Sequence, residues 1–304
     1  MDHNIQGYKA LRFKNEYKTA LMSSWVDMLR EYTRRDLTEP SDRLAAIAGL
    51  AGRMREATGD NYLVGLWKAN LARELLWRVD IQYPSHRQKR YVAPSWSWAS
   101  VTGAIYHIPC ERVCSEVAEI RMELSSQNIF GSAQSGTITI MASILPVRLY
   151  QFGKSLLDAI GTQEKHGWFL STCSSQSGQA YHITDDSPTK SMKHSGALSD
   201  GIRTPTRSEN LRYGEIEPDV TDCEELRSVE YRSNKSESSH LVPSEESYVL
   251  VLIAAEKTNP HCLILKYIAD KEERTFYRVG MLHGARHTWN VADFPETRQR
   301  INIV

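Results

Sequence analysis

The chain has 304 residues, with 37 Lys plus Arg against 37 Asp plus Glu, so its formal net charge is zero. That balance argues against a nucleic-acid binder with a strongly basic surface and against an acidic solvating protein, while the length suffices for one large domain or two ordinary ones. Five cysteines at irregular spacings (Cys110, Cys114, Cys173, Cys223 and Cys262) argue against a disulfide framework and for a reducing compartment. The start, Met1-Asp2-His3-Asn4-Ile5-Gln6, lacks a basic segment followed by an apolar one, and the longest apolar run, Val249–Ala255, falls far short of a membrane span. The expectation is a soluble cytoplasmic protein with no membrane partner.

Residues 1–83 read as a helical segment. Leu21, Trp25, Met28, Leu29 and Tyr32 recur at helical spacing and form one apolar stripe. Thr38 to Ser41, with Pro40 between, is a helix-start signal, and Leu44, Ile47, Ala48, Ala51 and Met54 make the next stripe, broken by Gly59-Asp60. A third helix is predicted over Tyr62–Val79, apolar around most of its circumference and therefore largely buried, with Trp67 and Trp77 ten positions apart on nearly one face.

After Tyr83-Pro84 the period becomes strand-like, and residues 84–170 read as the first part of a β-rich unit. Pro94-Ser95-Trp96-Ser97-Trp98-Ala99-Ser100 reads as extended chain, with both tryptophans on one buried face and the serines on the other. Ala118, Ile120, Met122 and Leu124 alternate with polar residues, as do Ile138, Ile140, Ala142 and Ile144, with a turn expected at Gly136-Thr137 and Pro146 limiting the second strand or placing it at an edge. A short strand is expected around His166–Leu170. Residues 171–247 are polar, richest at Ser233–Ser239, and read as a long flexible insertion. Residues 248–304 return to strands at Tyr248–Ala255, Cys262–Ile268 after an Asn259-Pro260 turn, Thr275–Leu282 and Arg300–Val304. The fold class expected is α+β: N-terminal helices packed on an antiparallel β-rich, sandwich- or barrel-like unit with a long polar insertion.

No motif in the chain carries a recognisable reaction. There is no Gly-rich phosphate loop, Gly-x-Ser-x-Gly elbow, His-Glu-x-x-His or Cys-x-x-Cys. His107, Cys110 and Cys114 are close in sequence but lack the second ligand pair of a structural zinc site. His283 and His287 would share a helix face, yet the surrounding glycines point to a loop. Asp185-Asp186 and Glu224-Glu225 fall in the polar insertion, where reactive geometry is hard to hold. His86-Arg87-Gln88-Lys89-Arg90 is a basic stretch best read as a solvated loop. Asn234-Lys235-Ser236 is a glycosylation sequon without meaning outside the secretory pathway. Stacking of Trp96 and Trp98 on a ligand is weighed against the commoner pair of core rings. The reading is no catalytic residues, no cofactor, no metal, no nucleic acid, and an unknown small-molecule ligand.

Four segments, taken together, resemble the region that follows the HET domain in fungal heterokaryon-incompatibility proteins. They are Trp25 through Tyr32–Thr38 and Ser41–Ala51; Tyr62–Trp67 continuing to Leu75-Leu76-Trp77; Ala93–Ser100 with Gly103; and Tyr277–Met281 with Trp289 and the terminal Ile301–Val304. Trp67, Pro94, Trp96, Trp98, Gly103, Arg278 and Gly280 are the marker positions. In that family a HET domain, similar to TIR-like folds, precedes this region and ends near an Arg-(Ala/Gly)-Trp-Thr-Leu-Gln-Glu type of motif. Nothing similar occurs between Met1 and Trp25, so the resemblance covers the downstream part alone and transfers no catalytic residues. It implies a non-catalytic interaction or regulatory module in non-self recognition, with other incompatibility proteins as partners, or else a truncated, inert product. An enzyme or an accessory factor of a fungal biosynthetic gene cluster is the alternative.

Overall fold

The stripe through Trp25 and Leu29 lies on one long helix, α1 (Asp2–Thr33), where both side chains are buried. The computed structural model describes residues 2–35, 37–80, 85–88, 90–152, 167–172, 217–218, 248–268, 274–283 and 289–304. The start signal at Pro40 becomes a 3-10 turn (Pro40–Asp42) leading into α2 (Arg43–Thr58), which buries Leu44, Ile47, Ala51 and Met54. Gly59 ends α2 with φ 69°, and its N–H donates to Arg55 O at 2.8 Å. That left-handed cap is one glycine adopts without a Cβ penalty.

Tyr62–Val79 is not a helix. It holds a two-stranded hairpin, β1 (Tyr62–Leu63) with β2 (Leu66–Trp67), a 3-10 turn, one turn of helix α3 (Leu71–Glu74), and strand β3 (Trp77–Val79). The turn residues Val64 and Gly65 both have positive φ, 41° and 107°, as tight hairpins of the primed kind require. Its large apolar residues are buried throughout, while Lys68, Ala69, Asn70 and Arg73 are exposed, so the apolar positions carry no period that separates helix from strand. β3 pairs antiparallel with β4 (Ile105–His107), placing Trp77 opposite His107. Thr33 fastens α1 to this ladder: its Oγ1 donates to Leu29 O and accepts from Ile105 N–H, both at 2.8 Å.

The remaining strands form one large sheet. They are β5 (Arg112–Val113), β6 (Glu116–Leu124), β7 (Ala133–Ala142), β8 (Ile144–Phe152), β9 (Gly167–Thr172), β10 (Glu217–Pro218), β11 (Tyr248–Glu256), β12 (Asn259–Tyr267), β13 (Thr275–Leu282) and β14 (Gln299–Ile303). The main path runs β6-β7-β14-β13-β12-β11-β8-β9, with β10 beside β13 and β5 beside β11. Every pair is antiparallel except β13 with β14. Thus the fold is α+β, with the helices at the N-terminus and a mostly antiparallel sheet after them. β7 and β8 are halves of one strand bent at Ser143: the first half pairs with β14 and the second with β11. The bend curls the sheet round its core, while the path itself stays open between β6 and β9. Helical and strand residues bury into the same apolar cluster, from Trp25 and Leu44 to Ile264 and Ile303.

Three local expectations change. Gly136-Thr137 lies inside β7, and the reversal falls earlier, over residues 125–132, where Ser125 N–H donates to Ser132 O. Gly136 is there for close approach, since a Cβ would stand 2.4 Å from Pro94 Cγ. Asn259-Pro260 begins β12, and the turn is Lys257-Thr258, with Lys257 at φ 53°. The heptad around Trp96 is not extended: Ser97 N–H donates to Pro94 O at 2.9 Å, and Trp98–Ser100 is a 3-10 turn. Pro146 sits within β8 opposite Val249, one position before β9 pairing begins at Val147, so it occupies a local edge. Of the insertion over 171–247, only Ser171–Thr172 and β10 are described. Asp185, Asp186, Glu224, Glu225, Asn234–Ser236, Cys173, Cys223 and His287 lie outside the described residues. No helix among the described residues is long and apolar enough to cross a membrane.

Candidate functional site

Four marker residues, Pro94, Trp96, Trp98 and Arg278, meet where the helices join the sheet. Trp96 and Trp98 are fully buried, although the chain there turns rather than extends. Each indole N–H donates to a backbone oxygen, Trp96 to Gly136 O at 3.4 Å and Trp98 to Gly65 O at 2.8 Å. The serines between them are buried too. Ser97 Oγ donates to Val64 O and accepts from Ala99 N–H at 3.1 Å, capping the 3-10 turn. Ser95 Oγ donates to Val304 O and accepts from Arg278 N–H at 2.9 Å. One turn thereby ties the β1–β2 hairpin, β7, β13 and the end of β14 together.

Arg278 on β13 is fully buried beneath this turn. Its Nη1 donates to Leu75 O at 2.7 Å, its Nη2 to Trp77 O, and its guanidinium stacks 3.5 Å from the Trp77 ring centre. Trp77 in turn donates its indole N–H to Trp96 O at 2.9 Å. Carbonyl dipoles and a ring face offset the cost of burying this charge. Of the other markers, Trp67 packs edge-on against Trp25 and Tyr62 at 5.3 and 5.2 Å, and Pro94 presses on Gly136. Gly103, at φ 91°, offers its carbonyl to Arg43. Gly280 lies opposite Ile264 in β12 and Pro218 in β10, away from the turn.

Beside the hub lies a polar pair that the sequence does not announce. Glu74, at the end of α3, places Oε2 4.0 Å from Nε2 of His107 on β4, with both side chains buried. Burial is the main cause that pushes the Glu74 carboxyl up to about 8; the Asp60 charge adds to it and the Trp67 backbone N–H opposes it. Burial, then the charge of Arg278, pushes His107 down to about 4. A distance of 4.0 Å is within ion-pair range but too long for a hydrogen bond. Since desolvation disfavours both charged forms, we assign a neutral carboxyl and a neutral imidazole. Glu74 Oε2 and both His107 ring nitrogens make no hydrogen bond among the described residues. The signal that could have found Glu74 is a lone carboxylate inside an otherwise apolar segment.

The other sequence candidates separate. His107 turns to Glu74, while Cys110 accepts from Arg73 Nη1 at 3.2 Å through Sγ and at 2.6 Å through its carbonyl. Burial raises the Cys110, Cys114 and Cys262 thiols. No group of three His, Cys, Asp or Glu residues is placed to hold a metal ion among the described residues. In the basic stretch, Arg87 is woven into the hub: Nη1 donates to Ser100 Oγ at 2.9 Å, Nη2 donates to Arg278 O, and the guanidinium lies over Tyr277. No protein-family model, curated protein or solved structure matches this chain.

Proposed function

We propose that this chain is a non-catalytic interaction or regulatory module of the fungal heterokaryon-incompatibility type, acting in the cytoplasm in non-self recognition with another incompatibility protein as partner. The observation that carries the reading is the hub. Pro94, Trp96, Trp98 and Arg278, four residues on which the resemblance rests, converge there, and their polar groups are spent on backbone atoms. Groups so engaged hold a scaffold and have no free atoms for turnover. The test is expression in a fungal host with colony growth and vital-dye uptake as readouts, joined to proximity labelling. Growth restriction that depends on a labelled partner is the expected result. A host that grows normally, with no protein enriched over a control that expresses the labelling enzyme alone, refutes it.

The Glu74–His107 pair favours a second reading, an enzyme or an accessory factor of a biosynthetic cluster, because shifted buried acids and bases gather at active sites. Neither residue lines the cavities of about 430 and 330 Å³ found elsewhere in the fold. Turnover lost in Glu74→Gln without loss of folding would establish that alternative.

A further inference from the structure

A cavity of about 430 Å³ lies between the end of α1, the start of α2 and the loop before β4. Its described lining includes Arg34, Arg35, Arg43 and His86 and contains no Asp or Glu. The volume falls in the range of small-ligand sites, about 300–1,000 Å³.

Arg43 sets the chemistry. It is buried, with 5% of its surface exposed. Its Nη2 donates to Gly103 O at 3.0 Å and its guanidinium lies 5.5 Å from the Trp98 ring centre. Nε, also buried, has no hydrogen-bond partner, and no carboxylate pairs with this guanidinium among the described residues. Burial lowers its pKa to about 10, with the nearby Tyr32 opposing, so it stays charged at neutral pH. A buried cation without a counter-ion is costly, and an anion in the cavity offsets that cost. Arg34 differs: it already contacts Glu31 at 3.1 Å and Tyr106 Oη at 2.7 Å. Arg35 is exposed at the rim. His86 bonds Thr102 Oγ1 through Nδ1 at 3.2 Å. The carboxyl end of α1 and the amino end of α2 both adjoin the cavity, so their dipoles oppose one another and the side-chain charges decide.

We propose that this cavity binds the phosphate group of a small phosphomonoester. Arg43 and Arg35, which pair with no carboxylate among the described residues, exceed the charge of a single carboxylate, whereas a phosphate dianion takes donors from several directions at once. The remaining volume accommodates the group that the phosphate carries.

The test is titration calorimetry and thermal denaturation of the full chain with inorganic phosphate, glucose 6-phosphate and AMP, against sodium chloride and sodium acetate at matched ionic strength. Saturable binding of at least one phosphate probe, with a raised Tm, is expected. Arg43→Gln is expected to weaken it at least about tenfold, the worth of one charge-assisted bond. Arg35→Gln, an exposed change that leaves the core intact, is expected to weaken it several-fold and decides the matter if the Arg43 variant does not fold. No saturable heat at millimolar phosphate, acetate bound as tightly as phosphate, or Arg35→Gln binding like the wild type overturns the proposal.

Discussion

The buried pair makes a prediction with a definite sign. Glu74 has an ordinary value of 4.5 and a folded value of about 8. A carboxyl raised in this way contributes its full stability below 4.5 and loses it as pH rises through 8. His107 runs oppositely, from an ordinary 6.5 to about 4, so its contribution is complete above 6.5 and lost as pH falls toward 4. Between 4.5 and 6.5 the two slopes offset. Between 6.5 and 8 only Glu74 changes, and one and a half pH units at about 1.4 kcal/mol each give a loss of about 2 kcal/mol. Glu74→Gln keeps the volume and an acceptor for the Trp67 N–H while removing the proton. The assay is urea denaturation at pH 6.5 and pH 8 with the m-value checked for constancy. The wild type is expected to lose about 2 kcal/mol more than the variant across that window. Equal losses in both proteins refute the buried carboxyl. Denaturation counts the proton but does not locate it, because an ion pair holds the same single proton. Nitrogen-15 NMR of His107 at pH 7 locates it: neutral imidazole is expected, and an imidazolium signal refutes our assignment.

Trp96→Ala and Trp98→Ala are each expected to cost about 3–5 kcal/mol, read as a shift in the denaturation midpoint; a variant that keeps its Tm but loses a partner overturns their core role. Gly65→Ala combines φ 107° with a Cβ only 2.6 Å from Trp98 Nε1, so strain and overpacking together should cost about 2–5 kcal/mol. Gly59→Ala meets no atom within 4 Å and should cost only the left-handed penalty of about 1–2 kcal/mol, so a reversed ranking of these two glycines refutes the packing argument. Ser97→Ala strands Val64 O and the Ala99 N–H in a dry site and is expected to cost about 1–3 kcal/mol, with an unchanged midpoint as the contrary result.

Periodicity was legible wherever one face of an element is buried and the other is wet. The Trp25–Leu29 stripe of α1 is such a case; in β6, Ile120, Met122 and Leu124 of the expected alternation are half-buried against wet neighbours, while Ala118 is exposed at the register shift between Val117 and Glu119. Tyr62–Val79 failed for the opposite reason. Leu63, Val64, Leu66, Trp67, Leu71, Leu75, Leu76 and Trp77 are all buried, so no face was left to set a period. The heptad was right about burial and wrong about shape, because Ser97 and Ser100 cap a turn with the hydroxyls assigned to an opposite face. In the site, the aromatic markers were legible because large rings are rarely idle. Glu74 and Arg43 were not: their meaning comes from His107 and Gly103, 33 and 60 positions away in sequence, and local pattern does not record such pairings.

Two buried arginines in the same molecule show where ligand chemistry belongs. Arg278 has carbonyls at both terminal nitrogens and a tryptophan face against it, so its charge is matched by fixed dipoles and adds rigidity to the hub. Arg43 has one carbonyl and a more distant indole, so its charge is only partly matched and it borders a cavity. The indole in question is Trp98, and the carbonyl belongs to Gly103, a marker position. An anion on Arg43 therefore acts on the junction that holds α2 to the turn. Binding to the folded form alone stabilises it by mass action, at about 2.7 kcal/mol when ligand exceeds its Kd a hundredfold. A fold whose core joint is strengthened by a small phosphate couples its own stability to the level of that phosphate.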